Sequence, residues 1–190
     1  MFYAVLLTCC LHVSLSATIS VYDFSKKTSS VRAHGMAQTF TAIAEEESAT
    51  LINPAGLAYP GSGYSYQLLD SESRTYKTYQ AHYYYNRPIG FSSIIQQDQN
   101  GNKLTMTALG LGLLGRNGVS WGVSYKQIEG RINNTAVKGW SSDLGLLFRL
   151  FPWLNMGVNV KDFYSRDLNI DPTFKMGLAG IHPKRHFNWS

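Results

Sequence analysis

Residues able to do acid–base, nucleophilic or metal chemistry are scattered along this 190-residue chain. After the apolar N-terminal run the histidines are His34, His82, His182 and His186. His182 and His186 have a ligand-like spacing only on a helix, and Pro183 between them disfavours a helix. No nucleophile elbow and no metal-binding histidine pattern occurs. The sequence therefore predicts no enzyme, no catalytic residue, no metal site and no cofactor, and the histidines are interpreted as solvated loop residues.

The clearest structural signal is an alternation of apolar and polar residues, which predicts β-strands because successive side chains of a strand point to opposite faces. In segment 119–126, Trp121 and Tyr125 share one face, and Ser124 and Lys126 share the other. The same alternation is clear in segments 140–149, 154–161 and 174–179 and weaker in 63–69, 76–85, 90–97 and 104–114. We expect the apolar sets to face outward and the polar sets, including Asn155, Asn159 and Lys161, to face inward.

These segments predict an all-β fold: an antiparallel transmembrane β-barrel, partial, of roughly eight strands over residues 61–190. Strands of this length can cross a bilayer when tilted. Only 15% of residues are charged, against roughly 25% in typical soluble domains, and 13% are aromatic. The faces carrying Gly, Ser, Asn and Lys would fill a core poorly but suit a water-filled lumen. A soluble β-sandwich or lipocalin-like barrel is the alternative.

The N-terminus is predicted to direct export. Residues 1–16 form an apolar run too short to span a membrane as a helix, and they are interpreted as a signal peptide, although no Lys or Arg precedes the run. Cys9 and Cys10 are the only cysteines, so the mature chain has no disulfide; lipid attachment at either is an alternative. Residues 17–60 follow as a loosely structured polar lead and a hatch segment. The net charge of +5 has no long basic run, so no nucleic-acid partner is expected.

Residues 31–58 combine small residues, the acidic run Glu45–Glu47 and the element Asn53-Pro54-Ala55-Gly56. The order and spacing of these parts resemble the N-terminal hatch of the FadL-like outer-membrane β-barrels, the long-chain fatty-acid transporter superfamily. A short helix is expected over residues 35–46, and it should end before Pro54, because the residue before proline disfavours the helical region.

The resemblance implies passive uptake or binding of hydrophobic small molecules, such as long-chain fatty acids, in the bacterial outer membrane. Outer-membrane lipids and a hydrophobic ligand are the expected partners. The resemblance also makes the Asn53–Gly56 element a gate, and Lys126, Arg149 and Lys161 candidates to bind a ligand carboxylate. The alternative is that these cations hydrate the lumen or pair with Asp143.

The chain departs from the family in strand number, since the family builds fourteen strands and only about eight follow Ala58. Three explanations stay open: a truncated member, which we expect, a narrower eight-stranded barrel, or a barrel assembled from several copies. Function has alternatives as well: a non-transporting scaffold that holds an envelope protein partner, an inactive paralogue, or a soluble β-barrel carrier.

Overall fold

The computed structural model describes residues 19–27, 40–44, 46–70, 78–115 and 118–180. The predicted signal peptide, His34, His182 and His186, residue Glu45 and half of the helix predicted over 35–46 lie outside these residues. Residues 116 and 117 also lie outside them, where the sequence Arg116-Asn117-Gly118 predicts a turn.

The described residues form one antiparallel sheet in which each strand pairs with the next along the chain. Its strands are β1 (Ser62–Asp70), β2 (Thr78–Asn86), β3 (Ile89–Gln97), β4 (Lys103–Leu114), β5 (Val119–Ile132), β6 (Thr135–Phe151), β7 (Leu154–Arg166) and β8 (Thr173–Gly180). The all-β antiparallel prediction is confirmed, and each predicted segment lies on one of these strands, apart from its residues outside the described ranges. Within the described residues β1 and β8 are not paired, so the sheet is open.

The alternation of side chains explains why these segments form strands with one polar and one apolar face. On β5, Ser120, Ser124 and Lys126 are buried, whereas Trp121 and Tyr125 are 44% and 45% exposed. We call the face that carries the buried small and polar residues the inner face, and the opposite one the outer face. The two-residue turn Asn133-Asn134 joins β5 to β6, with both residues at positive φ, as the primed hairpin turns require.

The N-terminal part packs against the inner face. Helix α1 (Val21–Ser25), helix α2 (Ala49–Ile52) and a 3₁₀ helix (Pro54–Ala58) precede the sheet. We call residues 40–44 and 46–58 the plug. The structure departs here from three expectations. Residues 21–25 are helical rather than loose, because Phe24 is buried in the core, and the inner face is covered by the plug and α1 rather than by water. Residues 41–43 form a turn rather than part of the helix predicted over 35–46, and Ala44 after it has φ 27, outside the helical region.

The sheet wraps around the plug, since strands at both of its ends approach it. An added Cβ on Gly63 of β1 would lie 3.0 Å from Oε2 of Glu47, and one on Gly177 of β8 would lie 3.5 Å from Ala42. His82 also differs from expectation. It lies on the outer face of β2, half-buried, with Nδ1 3.2 Å from the Tyr64 hydroxyl, rather than in a solvated loop.

Candidate functional site

Asn53 fastens the plug to the wall of the sheet. Its side chain is fully buried, and its Oδ1 accepts a hydrogen bond from the backbone N–H of Ala55 at 3.2 Å. Its Nδ2 donates to the carbonyl of Thr41 at 2.8 Å and to that of Leu146, on β6, at 3.2 Å. Asparagine suits this position because one amide both caps the 3₁₀ helix and donates to neighbouring carbonyls.

Glycines on the inner face let the plug backbone approach the strands closely. A Cβ on Gly122 would lie 2.3 Å from the carbonyl of Pro54, and one on Gly145 would lie 2.0 Å from Oδ1 of Asn53. These two glycines are register partners on β5 and β6, so together they form a seat for the Asn53–Pro54 step.

Gly56 is required for space and not for backbone torsional freedom. It is not among the residues with positive φ. Instead, a Cβ there would lie 1.7 Å from the backbone oxygen of Ala44, within the plug itself. Ala55, beside it, is fully buried in the same helix. The Asn53–Gly56 element is therefore packed by close backbone contact on both sides.

We expect Gly122→Ala to destabilise the seated plug by about 1–3 kcal/mol, because the added methyl group meets backbone atoms that cannot rotate away. Limited proteolysis of the folded protein would measure this as faster cleavage within residues 46–58. Gly180→Ala is the control, since a Cβ there meets nothing within 4 Å. Equal cleavage rates in the two variants would contradict the seat.

A buried charged cluster lies beside the plug. Lys126 Nζ is 2.7 Å from Oδ1 of Asp143 and 2.6 Å from Oδ1 of Asp162, and all three side chains are almost fully buried. Lys26, just after α1, is 2.8 Å from Oδ2 of Asp162. Ser141 donates to Asp162 Oδ1 at 2.6 Å. Charges this deeply buried persist in proteins only when paired and hydrogen-bonded.

A β-bulge aims Asp162 into this cluster. The pairing of β6 with β7 shifts between Ser142 and Leu144, and Asp162 has φ 53, in the left-handed region. Regular alternation would place the residue after the inward Lys161 on the outer face. The bulge turns it inward instead, and its N–H donates to Oδ1 of Asp143 at 2.8 Å.

Lys161 differs from Lys126 because it lacks a carboxylate partner. Its buried Nζ donates to the backbone carbonyl of Lys26 at 3.3 Å, and among the described residues no carboxylate oxygen lies within 4 Å of it. Oδ2 of Asp143 is also buried, and it has no hydrogen-bond partner among the residues that the structure describes. Counting Lys26, Lys126, Lys161, Asp143 and Asp162, the cluster holds one more basic than acidic group.

The third predicted cation, Arg149, is not brought to this cluster. It is exposed near the end of β6, opposite Asn155, where the register shifts a second time before Phe151. Asn159 faces inward as expected, but its Nδ2 donates to the carbonyl of Ile52 in the plug rather than meeting the water of a lumen.

A buried apolar cluster adjoins the charges. It consists of aromatic and aliphatic side chains from the inner face of β2–β5. Side chains from α1, the plug and the β7–β8 connection pack against them. Its members include Phe24, Leu51, Ala81, Tyr83, Ile94, Met106, Ile128, Leu168 and Ile170. Phe24 is 1% exposed, so α1 fills what would otherwise be an apolar hollow beside Lys126 and Lys161.

Sequence reasoning missed Lys26, Phe24 and Asp162. The sequence carries one signal for Asp162. Regular alternation along β7 would put this carboxylate on the outer face, where apolar residues are expected. Lys26 had no local signal, because Asp162, Lys161 and Asp171, which it contacts, lie more than a hundred residues away. Phe24 had none either, because the apolar cluster around it is drawn from several strands.

Other kinds of site are not found in the part of the chain that the structure describes. It contains no group of three or more His, Cys, Asp or Glu placed to hold a metal ion. No described helix has the length and apolar character needed to cross a membrane. No protein family, no curated protein and no solved structure matches this chain.

Proposed function

We propose that the chain is an outer-membrane β-barrel protein of the FadL-like type, which binds or passes hydrophobic small molecules such as long-chain fatty acids. The observation that carries the proposal is the banding of the outer face. One row of register partners crosses six strands and is entirely apolar: Ile89, Leu111, Val123, Leu144, Val160 and Phe174. A continuous exposed apolar surface of this extent is unusual for a soluble monomer.

Aromatic residues lie on both sides of this apolar row, toward the two ends of the strands. At one end the rings of Tyr125, Trp140 and Tyr164 lie next to one another in tilted contacts, with centroids 5.5 and 5.1 Å apart. At the other end Phe151 and Trp153 stack at 5.5 Å. Beyond the first aromatic group the outer face becomes polar, with Gln127, Glu129, Arg131, Lys138 and Arg166. Aromatic girdles between apolar and polar zones are typical of membrane barrels.

The distance between the aromatic groups supports a bilayer-spanning band. Trp140 and Phe151 lie on the same strand, so at ~3.3 Å per residue they are about 36 Å apart along it. A strand tilted by ~45° would project this to about 26 Å, close to the ~25 Å apolar band of outer-membrane barrels.

The interior supports an amphiphilic ligand. An apolar tail gains ~0.8 kcal/mol for each buried CH₂ group, and the apolar cluster offers the surface for it. A carboxylate needs a basic group, and Lys161 is a buried lysine that has no carboxylate partner among the described residues, whereas Lys126 is already bound to Asp143 and Asp162. We assign Lys161 rather than Arg149 as the principal head-group ligand.

The open sheet needs partner strands in this proposal. Each unpaired backbone group at the β1 and β8 edges would cost several kcal/mol in hydrocarbon. A closed barrel of eight strands has room inside for little more than its own side chains. Since the plug occupies the inner face, the wall must be completed by further strands, from a longer chain or from other copies.

The test is expression in a bacterium, followed by fractionation and binding measurements. We expect the protein in the outer-membrane fraction, extracted only by detergent, and a shift in gel mobility on heating. Spin labels along β5 should alternate between lipid and water or protein surroundings with a period of two. A monodisperse protein in buffer without detergent would overturn the proposal.

A second candidate, a scaffold for another envelope protein, is favoured by the polar end of the sheet. There the turns before β4 and β6 line a polar depression of about 310 Å³, formed by Asn100, Gly101, Asn102, Arg131, Asn133 and Asn134. Stoichiometric co-purification of a protein, lost on Arg131→Ala, would favour the scaffold. Co-purification of lipid alone would favour ligand uptake.

A further inference from the structure

Helix α1 is held in the interior by contacts that combine an apolar group with oxygen acceptors. Phe24 is buried in the apolar cluster. One and two residues later, the carbonyl oxygens of Ser25 and Lys26 accept hydrogen bonds from Lys126 Nζ at 3.4 Å and from Lys161 Nζ at 3.3 Å. Two buried lysine side chains therefore donate to carbonyls at the end of a helix, where backbone oxygens lack intrahelical partners.

We infer that α1 occupies the binding site of an amphiphile with an apolar tail and a single carboxylate head, and that ligand and α1 compete for it. The tail would take the place of Phe24, and the two head-group oxygens would take the places of the Ser25 and Lys26 carbonyls. This inference rests on the proposed function, because it names where that ligand binds and what excludes it.

The hydrogen-bond lengths favour the ligand over the helix at this position. Bonds between an ammonium group and a carboxylate are typically ~2.7–2.9 Å and roughly twice as strong as neutral ones. The bonds from Lys126 and Lys161 to the α1 carbonyls, at 3.4 and 3.3 Å, are longer. The carboxylate would also give Lys161 the anionic partner that it lacks among the described residues.

Other contacts hold α1 in place and oppose its displacement by a ligand. Lys26 pairs with Asp162 at 2.8 Å and donates to the carbonyl of Asp171 at 2.8 Å. Lys27 donates to Oε1 of Gln96 at 2.6 Å. All of these contacts must break when α1 leaves. Because α1 is only five residues long, the helix itself adds little to its own retention.

The first experiment measures the binding of cis-parinaric acid, a fluorescent long-chain fatty acid, to the full chain in amphipol. Phe24→Ala weakens the internal competitor, so we expect at least threefold tighter binding than in the wild type. Asp23→Ala, an exposed neighbour on the same helix, should leave the affinity unchanged. Lys161→Met should weaken binding of the acid at least tenfold but leave binding of its methyl ester nearly unchanged.

The second experiment keeps the inference testable should Phe24→Ala alter packing generally. In a chain with Cys9 and Cys10 replaced by serine, Phe24→Cys places a thiol in the apolar cluster. If ligand displaces α1, maleimide should label this thiol at least fivefold faster when palmitate is added. Ser142→Cys, on the outer face of β6, should label at the same rate with and without palmitate.

The outcomes separate this inference from the proposed function. Binding of cis-parinaric acid by the wild type, with unchanged affinity in Phe24→Ala and unchanged labelling of Phe24→Cys, would overturn the competition and leave the proposed function standing. Absence of binding in every variant would overturn both.

Discussion

Replacing Asp162 with alanine is expected to lower the free energy of unfolding by about 3–5 kcal/mol, because the change removes the carboxylate that Lys26 and Lys126 share. Asp162 contacts Lys26 and Lys126 at 2.8 and 2.6 Å and is itself fully buried. Asp143 would then be the only carboxylate near Lys126 in the described part of the cluster. Urea unfolding of the protein in detergent micelles, followed by tryptophan fluorescence, measures the difference.

The matched control is Asp167→Ala, five residues further along. Asp167 pairs with Arg166 at 3.7 Å, and the two side chains are 69% and 67% exposed. Exposed pairs typically contribute less than about 1 kcal/mol. Equal losses of stability in the two variants would mean that Asp162 is not the buried centre of the cluster.

Arginine in place of Leu146 is expected to cost about 2–4 kcal/mol of stability in a bilayer, if the outer face meets lipid. Leu146 lies on the outer face about midway between Trp140 and Phe151, so it would sit near the bilayer midplane. The measurement is the folded fraction in lipid vesicles at increasing urea, with the heat-dependent gel shift as readout.

Ala136→Arg is the control for this outer-face substitution. Ala136 is exposed on the outer face of the same strand, beyond the aromatic group, where it pairs with Arg131. It should cost less than ~1 kcal/mol, as expected near or outside the interface. A Leu146→Arg variant that folds in vesicles as readily as Ala136→Arg would refute the proposed depth of the band.

The strands could be predicted from sequence because their signal is local. On β5, Trp121 and Ser120 reveal their opposite faces by residue type alone, and the Asn133-Asn134 turn carries its own positive-φ preference. The outward-facing and inward-facing residues on the rest of the strand follow from the same alternation. Whether the β1 and β8 edges meet has no local signal, because it depends on strands that are not neighbours in the chain.

The interior could be predicted only in part, because its contacts are long-range. The sequence drew attention to the Asn53–Gly56 element and to Lys126 and Lys161, all of which are buried in the interior. The bulge that turns Asp162 inward breaks the alternation from which faces are inferred. The burial of α1 depends on Asp162 and on the apolar cluster, and neither is adjacent to it in sequence.

The seating of the plug has a consequence for the order of folding. Hairpins between neighbouring strands need only short loops to close, whereas Asn53 bonds to Leu146 across 93 residues and Asn159 to Ile52 across 107. Contacts of such separation form slowly, because chain closure must precede any gain. The plug therefore waits for β6 and β7, which are synthesised about a hundred residues after it, and until they arrive its apolar helices need protection from aggregation.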